Sequence, residues 1–210
     1  MYKILIADDH AVVRKGLKQI LTETSDMIAA GEASTGQEVL DMLMKNEYDV
    51  VILDISMPGR SGLDIMKDLK NMKSSIPVLV LSIHPEEQYA VRALKAGASG
   101  YLTKESAPDE LVVAVRKVAQ GGKYVTTSLA EKLAFDLGKA NEKPLHETLS
   151  DREFQVLCMI GSGKPVKEIA EELCLSIKTI STYRSRILEK TKMKNNAEIT
   201  RYAIKNGLVD

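Results

Sequence analysis

The first 121 residues alternate short apolar runs with segments whose apolar side chains recur at helical spacing. The runs are short and some are apolar throughout, which is typical of parallel strands covered on both faces. The predicted strands are residues 3–7, 27–33, 50–53, 77–82 and 100–102, and the predicted helices are residues 11–21, 36–45, 62–70, 86–96 and 109–120. Strands that alternate with helices in this way predict an α/β domain with a doubly wound (βα)5 parallel sheet.

After residue 121 the periodic pattern weakens, because glycine, asparagine and proline interrupt it repeatedly. Leu129, Leu133 and Leu137 still stand at helical spacing and favour a short helix at residues 128–137. We therefore predict a linker that contains one helix, between two folded domains. The three predicted segments are residues 1–121, 122–146 and 147–210.

The C-terminal segment has the pattern of four helices. Ser150, with Glu153 three residues later, is the signature of a capping box that opens a helix through residue 160. Pro165 stands near the start of the next helix, as first-turn prolines do, and Asn195 or Asn196 can cap the last one. The later predicted helices are residues 166–173, 177–190 and a final helix that ends at residue 205. A short helix, a tight turn and a polar-capped second helix predict a helix-turn-helix in an all-α domain.

The charge of the chain is unevenly distributed, although 29 Lys and Arg balance 29 Asp and Glu overall. Residues 1–121 carry 14 basic and 17 acidic side chains, whereas residues 147–210 carry 11 basic and 9 acidic ones. Within the latter, residues 177–194 hold six basic side chains and one acidic one. This concentration predicts an anionic partner for the C-terminal domain.

Two classes of protein are disfavoured by composition. No run of 18 apolar residues is present, and the N-terminus turns acidic too early for a signal peptide, which predicts a cytoplasmic protein without a membrane partner. Cys158 and Cys174 lack metal-ligand spacing and each falls within an apolar helical pattern. We interpret both as reduced core residues.

Chemically active side chains stand where the predicted strands end. Asp8 and Asp9 follow the first strand, Asp54 the third, Ser82 ends the fourth and Lys104 follows the fifth. Three carboxylates brought within about 4 Å of one another would repel by about 4 kcal/mol per pair, and a divalent cation such as Mg²⁺ would relieve this repulsion. Such a site would leave Asp54 as a nucleophile that forms an aspartyl phosphate, with the hydroxyl and the ammonium on phosphoryl oxygens.

Each of these residues has a simpler explanation when it is taken alone. A lone Asp54 at a strand end more often caps the strand or meets solvent. Asp8 and Asp9 alone would suit the N-terminus of the following helix, whose dipole favours negative charge. The combination of an acid pair, an Asp, a hydroxyl and a Lys at successive strand ends favours phosphoryl chemistry.

The predicted helix at residues 177–190 separates apolar from polar side chains. Ile177, Ile180, Ile187 and Leu188 cluster on one side. The opposite side predicts base-edge contacts, because short hydroxyl side chains let a helix approach DNA closely. The base-facing candidates are Lys178, Ser181, Thr182 and Ser185. The candidates for the DNA backbone are Lys167, Arg186, Lys190 and Lys192. For a single charged helix, a solvated face is the usual alternative.

The first half of the chain resembles the receiver domain of two-component response regulators. The resemblance rests on ADDH at residues 7–10, DISMPGRSG at 54–62, LSIH at 81–84 and AGASGYLTK at 96–104. It implies a CheY-like fold, a phospho-acceptor at Asp54, Mg²⁺ held at Asp8, Asp9 and Asp54, and phosphoryl contacts from Ser82 and Lys104. Tyr101 matches the switch aromatic of that family, with a half-buried strand aromatic as the alternative.

The last domain resembles the LuxR-type DNA-binding domain of the NarL/FixJ branch of response regulators. The matching segments are LSDREFQVL at 149–157, KEIAEELCLSIKTISTYRSRILEK at 167–190 and AEITRYAIKNGL at 197–208. The segment KTISTYRSR is most similar to the BvgA/EvgA-type regulators. Ser181 and Tyr183 differ from the Lys and His of many branch members, so base preferences do not transfer. The resemblance also implies dimerisation through the last helix, with Ala197, Arg201 and Tyr202, whereas its apolar residues would equally suit a core.

The two resemblances together imply a bacterial transcription factor rather than an enzyme, apart from its own phosphotransfer and dephosphorylation. A sensor histidine kinase would phosphorylate Asp54, and the phosphorylated homodimer would bind double-stranded promoter DNA, with RNA polymerase as a further partner. One alternative is a regulator that acts independently of phosphorylation, through a protein partner. An aspartyl-phosphate phosphohydrolase is disfavoured, because Ser56 occupies the position where that family needs a second acid.

Overall fold

The computed structural model describes residues 1–57, 59, 61–72, 74–138 and 144–209, which form two compact units, Met1–Lys132 and Leu133–Asp210. Residues 139–143 of the predicted linker, and Pro58 and Arg60 in the segment that follows Asp54, lie outside the described residues. No helix in the described part of the chain is long and apolar enough to cross a membrane.

A five-stranded parallel sheet forms the centre of the first unit, in the order β2-β1-β3-β4-β5. The strands are β1 Tyr2–Ala7, β2 Met27–Ala33, β3 Val50–Asp54, β4 Val78–Ser82 and β5 Gly100–Thr103. Every residue of β3 and β4 is buried, because helices cover both faces of the sheet, as the apolar runs predicted. The doubly wound α/β fold is thereby confirmed.

Two helices of the first unit begin at side-chain caps. Thr35 accepts the amide of Glu38, and Ser61 forms a capping box with Asp64. The helices that follow the strands are α1 Ala11–Thr22, α2 Gly36–Lys45, α3 Gly62–Asn71, α4 Glu86–Ala96 and α5 Ala107–Ala119. Helix α6, Thr127–Gly138, contains the helix predicted at residues 128–137.

The second unit is helical. A short 3-10 helix, Leu145–Thr148, precedes α7 Asp151–Gly161, α8 Val166–Glu172, α9 Ile177–Thr191 and α10 Asn196–Lys205. Ser150 and Glu153 form the predicted capping box of α7, and Asn195, rather than Asn196, caps α10. The short α8, a tight turn and α9 form the helix-turn-helix.

The prediction that both cysteines are core residues is wrong for one of them. Cys158 is buried within α7, whereas Cys174 is exposed. Cys174 lies in the turn after α8 and has a φ of 52°, so it does not continue the apolar face of the helix. The apolar periodicity extended past the point at which the backbone leaves the helical conformation.

Candidate functional site

The register of the sheet brings the predicted active residues to one edge. Ala7 pairs with Leu53, so Asp8 and Asp54 occupy equivalent places at the ends of neighbouring strands. Ser82 pairs with Thr103, which places Lys104 one residue further along. Because all five strands are parallel, their carboxyl ends share this edge of the sheet.

Lys104 joins the two buried carboxylates at this edge. Its Nζ lies 2.6 Å from Asp8 Oδ2 and donates a hydrogen bond of 2.8 Å to Asp54 Oδ2. The second Asp54 oxygen, Oδ1, accepts the Ser56 amide at 2.8 Å. Asp8 and Asp54 are almost fully buried, so these contacts hold the Asp54 carboxylate in one orientation.

Burial and charge act in opposite directions on the pKa values of this group. Burial raises the pKa of Asp54 above its ordinary value, although hydrogen bonds from Lys104 and the Ser56 amide oppose the rise. Burial also lowers the pKa of Lys104, but its bonds to Asp54 and Asp8 outweigh that effect and raise the pKa overall. Lys104 therefore remains a cation beside Asp54.

The residues at this edge fit a divalent cation. Oxygen atoms of Asp8, Asp9 and Asp54 and a nitrogen of His10 all lie within 4.8 Å of one another. Lys104 contacts Asp8 and Asp54, whereas Asp9 Oδ1 lies 2.9 Å from His10 Nδ1. Two of these three carboxylates are buried, so a metal ion would compensate the remaining negative charge. His10 was not among the predicted residues, although its position directly after the acid pair was visible in the sequence.

Ser82 and Tyr101 are connected through one short segment. Ser82 is fully buried, and its Oγ accepts the amide of His84 at 3.0 Å. The hydroxyl of Tyr101 donates to the carbonyl of His84 at 2.8 Å. Tyr101 is completely buried, so the alternative of a half-buried strand aromatic is wrong. The β4-to-α4 connection therefore contacts both predicted switch residues.

Gly62 allows the segment after Asp54 to pass close to β3. A Cβ at this position would lie 2.5 Å from the carbonyl oxygen of Asp54 and 2.9 Å from the Cα of Ile55. Both neighbours are backbone atoms, so a side chain could be accommodated only if the strand end moved.

Gly62→Ala is expected to destabilise the first unit by about 1–3 kcal/mol and to disturb the carboxylate of Asp54. Gly16→Ala is the matched control, since a Cβ at Gly16 meets nothing within 4 Å and alanine favours α1 by up to about 1 kcal/mol. Thermal unfolding of both variants measures the difference. Equal melting temperatures for the two variants would contradict this account of Gly62.

Helix α9 presents the predicted base-facing side chains to solvent. Lys178, Ser181, Thr182 and Ser185 are exposed, whereas Ile180 and Ile187 are fully buried. Thr182 Oγ1 donates to the carbonyl of Lys178 at 2.9 Å, and Ser185 Oγ donates to that of Ser181 at 3.0 Å. With their protons bound in this way, both hydroxyl oxygens offer lone pairs outward.

The apolar face of α9 is narrower than predicted. Ile177 is 55% exposed, so its assignment to the packed side is wrong. Ile180, Ile187 and Thr191 are buried, and at 100° per residue Ile177 lies about 60° from the centre of that face. Leu188, at the same margin, is only partly buried.

Lys190 is paired within the protein. Its Nζ lies 2.6 Å from Glu153 Oε2, and the same carboxylate accepts the amide of Ser150 at 2.8 Å. Because Glu153 is almost fully buried, this pair attaches the C-terminal part of α9 to the N-terminus of α7. Lys190 is exposed, like the predicted backbone contacts Lys167, Arg186 and Lys192, but its amine is held by Glu153.

Glu153→Gln is expected to lower the free energy of unfolding of the second unit by about 1–3 kcal/mol at pH 7, since it removes a charge-assisted hydrogen bond. Burial raises the pKa of Glu153, but bonds from Lys190 and Ser150 outweigh it and lower the pKa below 4.5. A lowered folded-state pKa stabilises the protein above the unfolded pKa, and this contribution is lost as the pH falls through the folded value.

Urea unfolding at pH 7 and at successively lower pH measures the contribution of Glu153, with Glu168→Gln on the exposed surface of α8 as the matched control. The difference between wild type and Glu153→Gln should shrink as the pH falls below the ordinary glutamate pKa of about 4.3 toward the lowered pKa of folded Glu153. A difference that does not depend on pH would show that the ionised pair is not its source.

Helix α10 divides its apolar residues between the interior and the surface. Ile199 and Ala203 are fully buried, whereas Ala197 and Ile204 are exposed, so the alternative that all of them are core is wrong. Tyr202 is partly buried, and its hydroxyl lies 2.9 Å from His146 Nδ1. Burial raises its pKa. The side chains of Ala197 and Arg201 are therefore exposed and accessible to a partner protomer, whereas that of Tyr202 is partly buried against His146.

Comparisons with known proteins match both units. Residues 4–116 match the response regulator receiver domain, and residues 147–203 match the bacterial regulatory proteins of the luxR family. Response regulator UvrY of Escherichia coli K12 is 36% identical over 99% of this chain and 96% of its own length. Response regulator GacA of Pseudomonas aeruginosa is 35% identical over 100% of this chain and 99% of its own. The structure of RcsB from Salmonella enterica serovar Typhimurium bound to promoter rprA with the phosphomimetic BeF₃⁻ has a TM-score of 0.66 and 28% identity, over 96% of this chain and 97% of RcsB.

Proposed function

Because the chain belongs to the two-component response regulators of the NarL/FixJ branch, a family of DNA-binding transcription factors, we propose that phosphorylation of Asp54 controls its binding to DNA. The observation that carries the proposal is the pair of contacts from Lys104 to Asp8 and Asp54 at the carboxyl edge of the sheet. Because Lys104 is shared by two buried carboxylates, its contacts would change when Asp54 gains a phosphoryl group.

The reaction at Asp54 is a transfer of a phosphoryl group to its carboxylate. An Asp54 oxygen forms the new P–O bond while the bond from phosphorus to the donor, a phosphohistidine or acetyl phosphate, breaks and the donor keeps the electron pair. Mg²⁺ bound by Asp8, Asp9 and Asp54 would draw the phosphoryl oxygens into the site and neutralise part of their charge. Lys104 and the Ser82 hydroxyl would hold two of those oxygens.

We also propose that this pocket catalyses the chain's own phosphotransfer and dephosphorylation, as the resemblance to the receiver family implies.

The proposed partners of the chain are a sensor histidine kinase, double-stranded DNA and a second copy of the chain, with RNA polymerase as a further one. RcsB, solved on promoter DNA with the phosphomimetic BeF₃⁻, supports the DNA assignment for this chain. We assign the receiver to residues 1–121 and the DNA-binding domain to residues 147–210.

Lys104→Gln tests whether the phosphoryl group is sensed as well as accepted. Phosphorylated wild-type protein is expected to bind DNA about five-fold or more tightly than unphosphorylated protein. Phosphorylated Lys104→Gln should gain little, because it lacks the ammonium that would move to the new charge. Fluorescence anisotropy with labelled promoter DNA measures both affinities, and intact mass gives the phosphorylated fraction. Lys70→Gln on the exposed surface of α3 is the control. An undiminished gain in phosphorylated Lys104→Gln would refute this role of the lysine.

A further inference from the structure

Residues 123–126, which we call the strap, connect α5 to α6 and lie along the open edge of β5. The amide of Tyr124 donates to the carbonyl of Ser99 at 2.8 Å, and Tyr124 forms a parallel β-bridge with Gly100. Lys123 Nζ donates to the carbonyl of Ala98 at 2.8 Å. Through this single β-bridge the strap lies beside β5 in the place of a sixth strand. The sequence pattern had assigned these residues to the linker.

The first attachment of the strap is to α5 and β5. The hydroxyl of Tyr124 donates to Glu110 Oε2 on α5 at 2.7 Å, and burial together with that carboxylate raises the pKa of Tyr124 to about 12. At Gly100 a Cβ would lie 2.8 Å from the carbonyl oxygen of Tyr124, so the strap and β5 meet backbone to backbone.

The second attachment is to the segment that leads out of the pocket. The hydroxyl of Thr126 donates to the carboxylate of Glu86, the first residue of α4. Glu86 ends the β4-to-α4 connection, residues 82–86, which begins at Ser82 and carries the His84 carbonyl that accepts Tyr101. The attachment point therefore stands four residues from the hydroxyl that would meet the phosphoryl group.

Thr126 also caps α6. Its Oγ1 accepts the amide of Leu129 at 3.2 Å, and its carbonyl accepts the amide of Ala130 at 3.0 Å. The hydroxyl is therefore held by Glu86 on one side and holds the first turn of α6 on the other. Helix α6 continues through Gly138, beyond Lys132, where the first compact unit ends.

We propose that the hydrogen bond from Thr126 to Glu86 couples phosphorylation of Asp54 to the N-terminal turn of α6, and through it to the DNA-binding domain. Movement of Ser82 toward a phosphoryl group shifts residues 82–86, and Glu86 transmits the shift to the cap of α6. The backbone of Tyr124 stays fixed on β5. Thr126 is thus a positioning residue, and the inference rests on the proposed role of Asp54.

The decisive variant is Thr126→Val, which keeps the shape of the side chain and removes its hydroxyl. Thr126→Ser keeps the hydroxyl and is the matched control. Tyr124→Phe removes the hydrogen bond between Tyr124 and Glu110 and leaves the hydrogen bond between Thr126 and Glu86 in place. All three are studied as full-length protein with Mg²⁺ and beryllofluoride as the phosphoryl mimic, and beryllofluoride affinity is followed by tyrosine fluorescence.

Two readouts separate coupling from mere stability. In wild type, Thr126→Ser and Tyr124→Phe, beryllofluoride should change hydrogen exchange at the amides of residues 128–131 and raise DNA affinity. Thr126→Val should bind beryllofluoride as wild type does. Beryllofluoride should then leave hydrogen exchange at residues 128–131 unchanged, and the increase in DNA affinity should be about five-fold or more smaller than in wild type. The inference is overturned if Thr126→Val responds like wild type. If wild-type protein binds beryllofluoride without any change in DNA affinity, the proposed function fails as well.

Discussion

Asp54→Ala and Asp54→Asn proteins are expected to take up no phosphoryl group from acetyl phosphate with Mg²⁺, whereas wild-type protein should take up one. The reason is geometric, since Asp54 is the carboxylate that Lys104 and the Ser56 amide orient at the carboxyl edge of the sheet. Asparagine preserves the shape of the side chain but lacks the anionic oxygen that must attack phosphorus. Intact mass spectrometry detects the added phosphoryl group directly.

Two further variants complete this test. Asp8→Ala combined with Asp9→Ala should reduce labelling severely, because the proposed metal would lose two of its three carboxylates. Asp41→Asn, on α2 away from the strand ends, is the matched control and should label like wild type. Labelling that survives in Asp54→Ala would refute the assignment of the phospho-acceptor.

Lys178→Ala, Ser181→Ala and Thr182→Ala together are expected to abolish the preference for cognate DNA, and each alone should cost about 1–3 kcal/mol at a cognate site. These side chains are exposed on α9, opposite the buried Ile180 and Ile187, so α9 would present them to the major groove. Because the hydroxyl proton of Thr182 is bound to the carbonyl of Lys178, its oxygen should accept from adenine N6 or cytosine N4. Affinity selection from random DNA measures the preference.

The dependence of DNA affinity on salt distinguishes backbone contacts from base contacts. If Lys167, Arg186 and Lys192 of each protomer neutralise one phosphate each, a dimer releases about six counterions, and the slope of log K against log salt is about −5. Replacing Arg186 by Ala in both protomers should flatten that slope by about two units and weaken all sequences alike.

Lys190→Ala supplies the contrast, because the Lys190 amine is paired with Glu153. This variant should destabilise the second unit while leaving the slope nearly unchanged. A slope near zero in wild type, or base preferences that survive the triple substitution, would show that α9 does not read DNA. A two-fold dimer would place its half-sites about one helical turn apart.

The sequence determined the sheet and the place of its chemistry. Apolar runs such as β3 are local signals, and in a doubly wound parallel sheet the strand ends must share one edge. Asp8, Asp54, Ser82 and Lys104 were therefore assigned to that edge from chain order alone. The capping box of Ser150 and Glu153 was also predicted, because its two members stand three residues apart in the sequence.

Only the tertiary structure decided which atoms meet within and around those elements. Glu153 and Lys190 are far apart in sequence, and nothing local to either residue indicates the pair. The bond from Thr126 to Glu86 likewise depends on how the strap lies against β5. Periodicity also failed for Cys174, which lies past the end of α8, and for Ile177, which lies at the margin of the packed face of α9. Local sequence patterns specify the helices and strands and their order. Contacts between residues that are distant in sequence depend on how all the neighbouring side chains pack together.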